Sequence, residues 1–199
     1  PDLSDIYELK LNPENKNQYE LDGKWVNFTE TDQTFTVKLF GPFSITYPIK
    51  MYHSKHGPVL KDDNKAFALR FVGMNDVNHS TAWLKMNKSK NIDEWLDALR
   101  MEQLASLNLV YADKDDNIFF VHNAKSPVRD PNYNWKQVVP GNKSELIWRD
   151  FHPFESVPQI LNPSSGYIFS TNQNPFFVTA KEDNLSLSNF NPTMGFQTR

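Results

Sequence analysis

The feature that most constrains the fold of this chain is a change in the spacing of its apolar residues near residue 80. Before that point apolar and polar residues alternate, as in "TFTVKLF", where Phe35, Val37 and Leu39 are separated by polar side chains. A period of two predicts a half-buried β-strand. After residue 80 apolar residues recur at helical spacing. The sequence therefore predicts an α+β fold in which a β-rich first half is followed by helices, a hairpin and a long loop region.

Turn residues divide the β-rich part into strands. Asp22-Gly23 lies between two strand-like runs, and this dipeptide is a strong signal for a tight β-hairpin. The runs "FSITYPIKMYHS" and "AFALRFVGM" predict two further strands, and "KHGPVLKDDNK" predicts the loop region between them.

Two helices and a second hairpin are predicted next. "STAWLKM" predicts a short helix from Ser80 or Thr81, and "NIDEWLDALRMEQLAS" predicts a longer one. Asn91 suits the N-cap of the longer helix, and Glu94 stands three residues further on, as in a capping box. The apolar stripe of that helix consists of Trp95, Leu96, Leu99 and Leu104. "LNLVYADKDDNIFFVHN" predicts a hairpin that turns at residues 113–117.

The rest of the chain is predicted to be mostly loop. Residues 124–166 are rich in proline, and Trp135 and Trp148 are expected to hold this segment down. A strand from Tyr167 to Ser170 is expected to follow, ending in "TNQN" at residues 171–174. Side-chain amides at the exit of a strand are either turn formers or hydrogen-bond donors directed at a reacting carbonyl.

Composition excludes several classes of function. The net charge is −3 with both signs dispersed, so no basic stripe is available for nucleic acid or an anionic membrane. No apolar run is long enough to span a bilayer. The chain has no cysteine, which excludes disulfides and thiolate metal sites. The five histidines are scattered without zinc-ligand spacing, and nothing indicates a Ser-His-Asp triad.

"DLSD" at residues 2–5 has two interpretations. Two carboxylates three residues apart can converge on one hard cation, and calcium accepts both carboxylate and carbonyl oxygens. Asp and Ser side chains are also common caps of helix N-termini. The residues alone leave both interpretations open.

The order of several phrases resembles one family. "YHSKHGPVL", "WLKMNKSKNIDEW", "LNLVYADKDDNIFFVHNA", "VPGN" and "FHPFESVPQILNPSSGYIFSTNQNP" follow one another as in the penicillin acylase family, which includes acyl-homoserine lactone acylases and belongs to the N-terminal nucleophile hydrolases. The resemblance runs from Asp2 to about Asp183 and more loosely to Arg199. It implies that the chain is part of an αββα sandwich.

The resemblance also implies an amidase. In this family a precursor cuts itself into two subunits, and the new N-terminal Ser of the larger one attacks an amide carbonyl with its own α-amine as base. Residues 1–199 are then expected to be one segment of the large-subunit catalytic domain, with the nucleophile upstream of Pro1 and no activity alone. Its expected partners are the small subunit and the rest of the large subunit. The expected substrates are N-acylated small molecules, either β-lactam antibiotics or acyl-homoserine lactones, and the expected location is periplasmic or secreted.

Residue by residue, the resemblance implies the following catalytic and pocket positions. Asn172 corresponds to the family Asn that donates to the oxyanion, and Asn174 is its rival if the alignment shifts by two. Arg199 corresponds to an Arg near the active-site amine. Trp83 and Leu107 correspond to residues that line the acyl pocket, although both residue types are also common in an ordinary core.

The resemblance further implies a structural calcium ion. The corresponding ligands are two Asp side chains with an intervening carbonyl, a Pro carbonyl and a distant Asp: Asp2, Asp5, Ser4, Pro131 and Asp183. A further acidic ligand is expected from the small subunit.

Two other functions remain open. Five Trp and seven Tyr in a β-rich chain are compatible with a non-catalytic module that stacks sugars on exposed aromatic rings. Pro1 alone suggests a proline-amine tautomerase, although such enzymes are far smaller. Buried aromatics would favour a core over a stacking surface, and Trp25, Trp83, Trp95 and Trp148 all stand in apolar contexts.

Overall fold

A computed structural model describes residues 3–104, 106–123, 125–171 and 173–194, without the side chain of Asn123. The helices are α1 His79–Lys88 and α2 Ile92–Leu99. The strands are β1 Ser4–Leu9, β2 Gln18–Leu21, β3 Lys24–Asn27, β4 Thr29–Phe40, β5 Phe43–His53, β6 Pro58–Lys61, β7 Ala66–Phe71, β8 Leu107–Ala112, β9 Ile118–Asn123, β10 Val139–Pro140 and β11 Gln159–Leu161. No helix among these residues is long and apolar enough to cross a membrane.

The chain divides into two compact units. The sheet unit comprises Asp5–Arg70 and Asn132–Ile147, and the helix unit comprises Pro1–Ser4, Phe71–Pro131 and Trp148–Arg199. The predicted α+β class is confirmed, since strands and helices are both present and largely segregated along the chain.

The sheet unit is built on a six-stranded sheet with strand order β10-β1-β7-β6-β5-β4. β1 runs parallel to β10, whereas the β4–β5, β5–β6 and β6–β7 pairs are antiparallel. Alternate residues of β1, among them Tyr7 and Leu9, are buried, because successive strand side chains point to opposite faces. The core of this unit consists of Tyr7, Leu9, Leu11, Tyr19, Leu21, Phe28, Val59, Ala66, Ala68, Val139 and Leu146.

The hairpin predicted at Asp22-Gly23 is confirmed. Leu21 pairs with Lys24, and the two turn residues have φ angles of 51° and 74°. Positive φ at both positions is what a two-residue turn of this kind requires, and Asp and Gly tolerate it better than other residues do. Asp22 also accepts a hydrogen bond from the backbone N–H of Ser144, at 2.9 Å.

The glycine of "VPGN" lies where β1 and β10 approach each other closely. The backbone N–H of Gly141 donates to the carbonyl of Glu8 at 2.8 Å. A Cβ at this position would lie 2.8 Å from the same oxygen and closer still to Leu9 Cδ2. Only glycine fits without displacing β1.

The prediction that "TFTVKLF" is half-buried is wrong. β4 and β5 form a long two-stranded hairpin, called here the β4–β5 arm, and nearly all of its side chains are exposed on both faces. The apolar alternation is nevertheless present, since Phe35 pairs with Tyr47 and Val37 with Ile45 on one face. Nothing among the described residues covers that face, so period-two spacing was compatible with an exposed strand.

In the helix unit, the N-cap predicted for α2 is confirmed. Asn91 Oδ1 accepts the backbone N–H of Glu94 at 2.9 Å, and Glu94 Oε2 accepts the backbone N–H of Lys90 at 3.0 Å. The helix ends at Leu99, earlier than predicted, because Glu102 has a φ of 51°. Leu104 is buried as expected but lies outside the helix.

The hairpin predicted at residues 107–123 is also confirmed and forms a three-stranded sheet of order β11-β9-β8. On one face Trp95 of α2 packs against Tyr111 and Phe119, with ring centroids 5.0 and 6.0 Å apart. On the other face Phe120 packs with Ile160 and Val178. The hairpin therefore lies between the helices and the C-terminal segment.

The strand predicted at Tyr167–Ser170 is not formed. In this segment the backbone N–H of Phe169 donates a hydrogen bond to the carbonyl of Val178 at 2.9 Å, as in a pair of strands. The carbonyl of Tyr167 instead accepts a bond from Thr179 Oγ1 at 2.7 Å. Side chains thus satisfy backbone groups that a strand would have paired. The preceding segment, 124–166, is mostly loop as predicted.

Trp135 and Trp148 were expected to anchor that loop segment by packing, and both do so. Trp148 is buried, and Trp135 packs against the sheet-unit core, its ring centroid 6.3 Å from that of Tyr7.

Candidate active-site segment

Three of the predicted site residues, Asp2, Asn172 and Arg199, lie outside the described residues. The chain on both sides of Asn172 is described, and its hydrogen bonds show how this segment is held.

The side chain of Gln173 closes a short loop on itself. Its Nε2 donates to the carbonyls of Phe169 at 3.2 Å and Phe177 at 2.8 Å. Its Oε1 accepts bonds from the backbone N–H and the hydroxyl of Thr171. One amide therefore ties together backbone before and after position 172.

Asn174 forms a local turn. Its side chain is buried, and Oδ1 accepts the backbone N–H of Phe176 at 3.0 Å, two residues further on. This Asx-turn arrangement is a usual role of Asn before a proline. The turn-forming interpretation of the amide-rich segment therefore describes Asn174 well.

A second hydrogen-bond chain ties the segment to the β8–β9 hairpin. Asn108 Nδ2 donates to the carbonyl of Gln173 at 3.1 Å. Asn108 Oδ1 lies 2.7 Å from His122 Nδ1, on the strand paired with β8. Burial lowers the pKa of His122 to about 4 from its ordinary 6.5, so the ring is neutral near pH 7. We call these two residues the Asn108–His122 pair.

Sequence reasoning missed this pair and counted His122 only among scattered histidines. The predicted turn at residues 113–117 was nevertheless sufficient to predict which residues of the two strands face each other. A hairpin closed between Ala112 and Ile118 places residue 108 directly opposite residue 122. Two polar residues facing each other in an otherwise apolar hairpin indicate a shared polar contact.

The described residues of the predicted calcium set are oxygen donors of different character. Asp5 is 3% exposed and lies on the buried face of β1, and Ser4 begins that strand. Pro131 is exposed. Asp183 accepts bonds from Ser164 Oγ and Ser165 N–H, both at 2.8 Å, and these hydrogen bonds lower the pKa of its carboxyl.

This donor set fits a hard cation by its chemistry. Calcium binds carboxylate and carbonyl oxygens, and Asp5 and Asp183 supply carboxylates. Each oxygen of Asp183 accepts one hydrogen bond and keeps a further lone pair. In the described part of the chain no cluster of three or more acidic, His or Cys side chains is preassembled around a metal position.

The two predicted pocket residues both lie at the surface of the helix unit. Trp83 of α1 is 42% exposed and Leu107 of β8 is 39% exposed. The buried positions of α1 are instead Ala82 and Met86. Trp83 and Leu107 are therefore available for contact with another apolar group.

The tryptophans divide into two groups. Trp95 and Trp148 are buried, as expected for a core. Trp25 and Trp83 are exposed, which contradicts the expectation drawn from their apolar sequence contexts. Trp25 lies under the ammonium group of Lys10, 5.8 Å from the ring centroid, so a cation covers part of this ring.

Comparison with known families identifies the family of this chain. Residues 1–195 match the model of the penicillin amidase family, and the chain belongs to that family. The resemblance noted from the order of its motifs is thereby confirmed.

Relatives of known name agree with this assignment. Penicillin G acylase of Escherichia coli is 32% identical over 175 residues, which cover 86% of this chain and 20% of that protein. Acyl-homoserine lactone acylase QuiP of Pseudomonas syringae pv. tomato is 26% identical over 179 residues, 86% of this chain and 21% of that protein. The chain thus spans about a fifth of the length of these curated relatives.

A solved structure shows the same fold. Thermostable penicillin G acylase from Alcaligenes faecalis superposes with a TM-score of 0.76 at 26% sequence identity, over 94% of this chain and 34% of that chain.

Proposed function

We propose that this chain is part of an amidohydrolase that cleaves the amide bond of N-acylated small molecules through an N-terminal Ser outside residues 1–199. The observation that carries this proposal is the family match over residues 1–195. It is supported by relatives named as penicillin and acyl-homoserine lactone acylases. These names suggest β-lactam antibiotics and acyl-homoserine lactones as the candidate substrate classes.

In the proposed reaction this chain supplies a hydrogen-bond donor. Attack of the Ser hydroxyl on the amide carbonyl creates a tetrahedral oxyanion while the Ser α-amine takes the proton. The Asn172 amide donates to that oxyanion, and a donor fixed before the reaction stabilises it without reorganisation. The bonds made by Gln173 support this role, because they tie down backbone on both sides of position 172. Arg199 is proposed to lie near the Ser amine.

The acyl group of the substrate is proposed to contact Trp83 and Leu107. Both side chains are apolar and partly exposed, so covering them with an acyl chain removes nonpolar area from water.

Hydrolysis by the complete protein tests the proposed function. The complete protein should release a primary amine from N-phenylacetyl or N-acyl-homoserine lactone substrates, whereas residues 1–199 alone should release none. Replacing the proposed nucleophilic Ser should abolish release. Full activity of that Ser variant would refute the mechanism. Absence of amine release by the complete protein would instead favour the non-catalytic module that stacks sugars on aromatic rings.

A structural calcium ion is proposed to be held by Asp2, Asp5, Asp183 and the carbonyls of Ser4 and Pro131. The ion would bind oxygens from segments that are distant in sequence and take no part in bond cleavage. Calcium added to the chelator-treated complete protein should bind stoichiometrically in isothermal titration and raise its Tm. Absence of binding heat together with an unchanged Tm would remove calcium from the proposal.

The apolar face of the β4–β5 arm is proposed to be covered by the rest of the same enzyme. Four aromatics of the arm, Phe35, Phe40, Phe43 and Tyr47, are between 50% and 71% exposed. At about 200 Å² per aromatic side chain this leaves on the order of 400–500 Å² uncovered, before Ile45, Ile49 and Met51 are added. That area already equals the largest apolar patch of a typical soluble monomer, and the three further side chains bring it closer to one side of a standard interface. The proposed occupant is the part of the complete enzyme that lies outside residues 1–199. This chain covers 34% of the solved relative's chain, so that part would be large enough.

Lysine substitutions on the two faces of the arm test this contact. Phe35→Lys is expected to destabilise the complete enzyme by about 2 kcal/mol, because it places a charge in an apolar contact. Thr36→Lys is the matched control, since Thr36 lies on the opposite face of the arm, where its hydroxyl and that of Thr46 form an exposed hydrogen bond of 2.9 Å. Equal Tm values for the two variants would show that the apolar face is not covered.

The complete protein is proposed to act in the periplasm or outside the cell. This follows from the resemblance, and cell fractionation followed by the amine-release assay would test it. Activity confined to the cytoplasmic fraction would contradict it.

A further inference from the structure

We propose that Asn108 and His122 are positioning residues that hold Asn172 where it meets the oxyanion. The inference rests on the proposed function, because it assigns the pair a role through Asn172. Both residues belong to the β8–β9 hairpin, and neither needs to touch the substrate.

The segment around position 172 has two kinds of anchor. Among the described residues, the Gln173 side chain bonds to residues 169, 171 and 177, so it shapes the loop locally. The bond from Asn108 to the Gln173 carbonyl, at 3.1 Å, spans 65 residues of sequence. It joins the loop to a hairpin that is packed on both faces. The Asn108 bond therefore sets where the loop lies relative to the sheet.

The direction of each hydrogen bond in the series Gln173–Asn108–His122 follows from the chemistry of the Gln173 carbonyl. The Gln173 carbonyl can only accept, so Asn108 must present its NH₂ to Gln173 and its Oδ1 to His122. Asn108 Oδ1 can also only accept, so the proton of the neutral ring lies on His122 Nδ1. The amide of Asn108 consequently has one orientation that satisfies both neighbours.

His122 is itself firmly held. Its backbone N–H donates to the carbonyl of Pro158 at 2.9 Å, next to β11. Burial keeps the ring neutral near pH 7, so its single ring N–H is committed to Asn108. His122 on β9 therefore fixes the side-chain amide of Asn108 on β8. That amide in turn fixes the carbonyl of Gln173, the residue after Asn172.

Position is decisive for an oxyanion donor. A misplacement of about 1 Å caused by a change away from the chemistry can cost about 10²-fold in rate. The donor acts only in the transition state, so such a shift should lower kcat and leave KM nearly unchanged.

Kinetics of variants in the complete, matured enzyme test the inference. Asn108→Ala should lower kcat about 10–100-fold with KM within about two-fold of wild type. Asn108→Asp keeps the shape and the acceptor for His122 but loses the donor to Gln173, and it should show the same loss if the alanine variant fails to fold. His122→Gln retains an N–H donor and should retain more activity than His122→Leu. Asn117→Ala, which alters the turn of the same hairpin, is the control expected to leave kcat unchanged.

A double-mutant cycle with Asn172 separates positioning from general stability. Once Asn172→Ala has removed the donor, adding Asn108→Ala should cost no further activity. An undiminished loss in that background would mean that Asn108 does not act through Asn172, and the inference would be overturned. Normal kcat in both Asn108 variants, with Asn172→Ala impaired, would overturn the inference alone. Normal kcat in Asn172→Ala would overturn the proposed donor and the inference together.

Discussion

Replacing Asn172 by alanine in the complete enzyme is expected to lower kcat by about 10²–10³-fold, or about 2.7–4 kcal/mol of transition-state stabilisation. The side-chain amide is proposed to meet the oxyanion only after the carbonyl has been attacked, so KM should change little. Steady-state kinetics on an N-acyl substrate, with active sites titrated, measure the effect. Thermal unfolding of the same preparation shows whether the fold is intact.

The rival position supplies the control for that experiment. Asn174→Ser retains a hydroxyl that can accept the Phe176 N–H and so preserves the turn, but it removes the amide donor. Activity close to wild type is expected. If Asn174→Ser instead lost activity while Asn172→Ala kept it, the donor would be Asn174, and the alignment of this segment would shift by two residues.

Acidification is expected to destabilise the sheet unit through His56. This side chain is 0% exposed, both ring nitrogens lack a hydrogen-bond partner among the described residues, and its ring centroid lies 4.6 Å from that of Tyr7. Burial lowers the pKa of His56 to about 4, with Arg70 adding to the decrease and Asp22 opposing it.

The sign of the pH dependence follows from these two pKa values. The folded pKa of about 4 lies below the unfolded value of 6.5, so the unfolded chain binds more protons between them. The stabilisation is complete above about pH 6.5 and is lost as the pH falls towards 4. The full loss is about 3 kcal/mol for this group. Hydrogen exchange of the backbone amides of Tyr7, Leu9 and Tyr19, followed from pH 7 to pH 4 in the complete protein, measures it.

His56→Leu separates this effect from other acid-labile groups. Leucine has no nitrogen to protonate, so the pH slope of the sheet-unit amides should flatten, and protection at pH 7 should be retained or increased. His53→Leu, at the end of β5 in the same unit, should keep the wild-type slope. An unchanged slope in His56→Leu would contradict the assignment of the acid sensitivity to His56.

Local signals in the sequence predicted local structure well. Asp22-Gly23 defined a hairpin, because few dipeptides accept two successive positive φ angles. Asn91 and Glu94 defined the start of α2, because their side chains satisfy backbone N–H groups within one turn. The order of the motifs also identified the family, and the comparison over residues 1–195 confirmed it.

Features that depend on distant residues were predicted less well. α2 ends at Leu99 although its apolar stripe continues to Leu104, because burial of Leu104 does not require helical backbone. Residues 167–170 have strand-like composition, yet Thr179 takes the Tyr167 carbonyl out of any ladder. The exposed β4–β5 arm shows the same limit, since period-two spacing indicates an apolar face but not what covers it.

In the candidate site, too, some features were predictable from the sequence and others depended on the tertiary structure. The sequence by itself determined the family, the α+β class and the segment that carries Asn172, because these depend on residue order and short-range backbone preferences. Only the tertiary structure decided that Asn108 reaches the Gln173 carbonyl while it also bonds to His122. That contact joins residues 65 positions apart, and a hydrogen bond depends on the distance and angle between its atoms, which the packing of the β8–β9 hairpin sets.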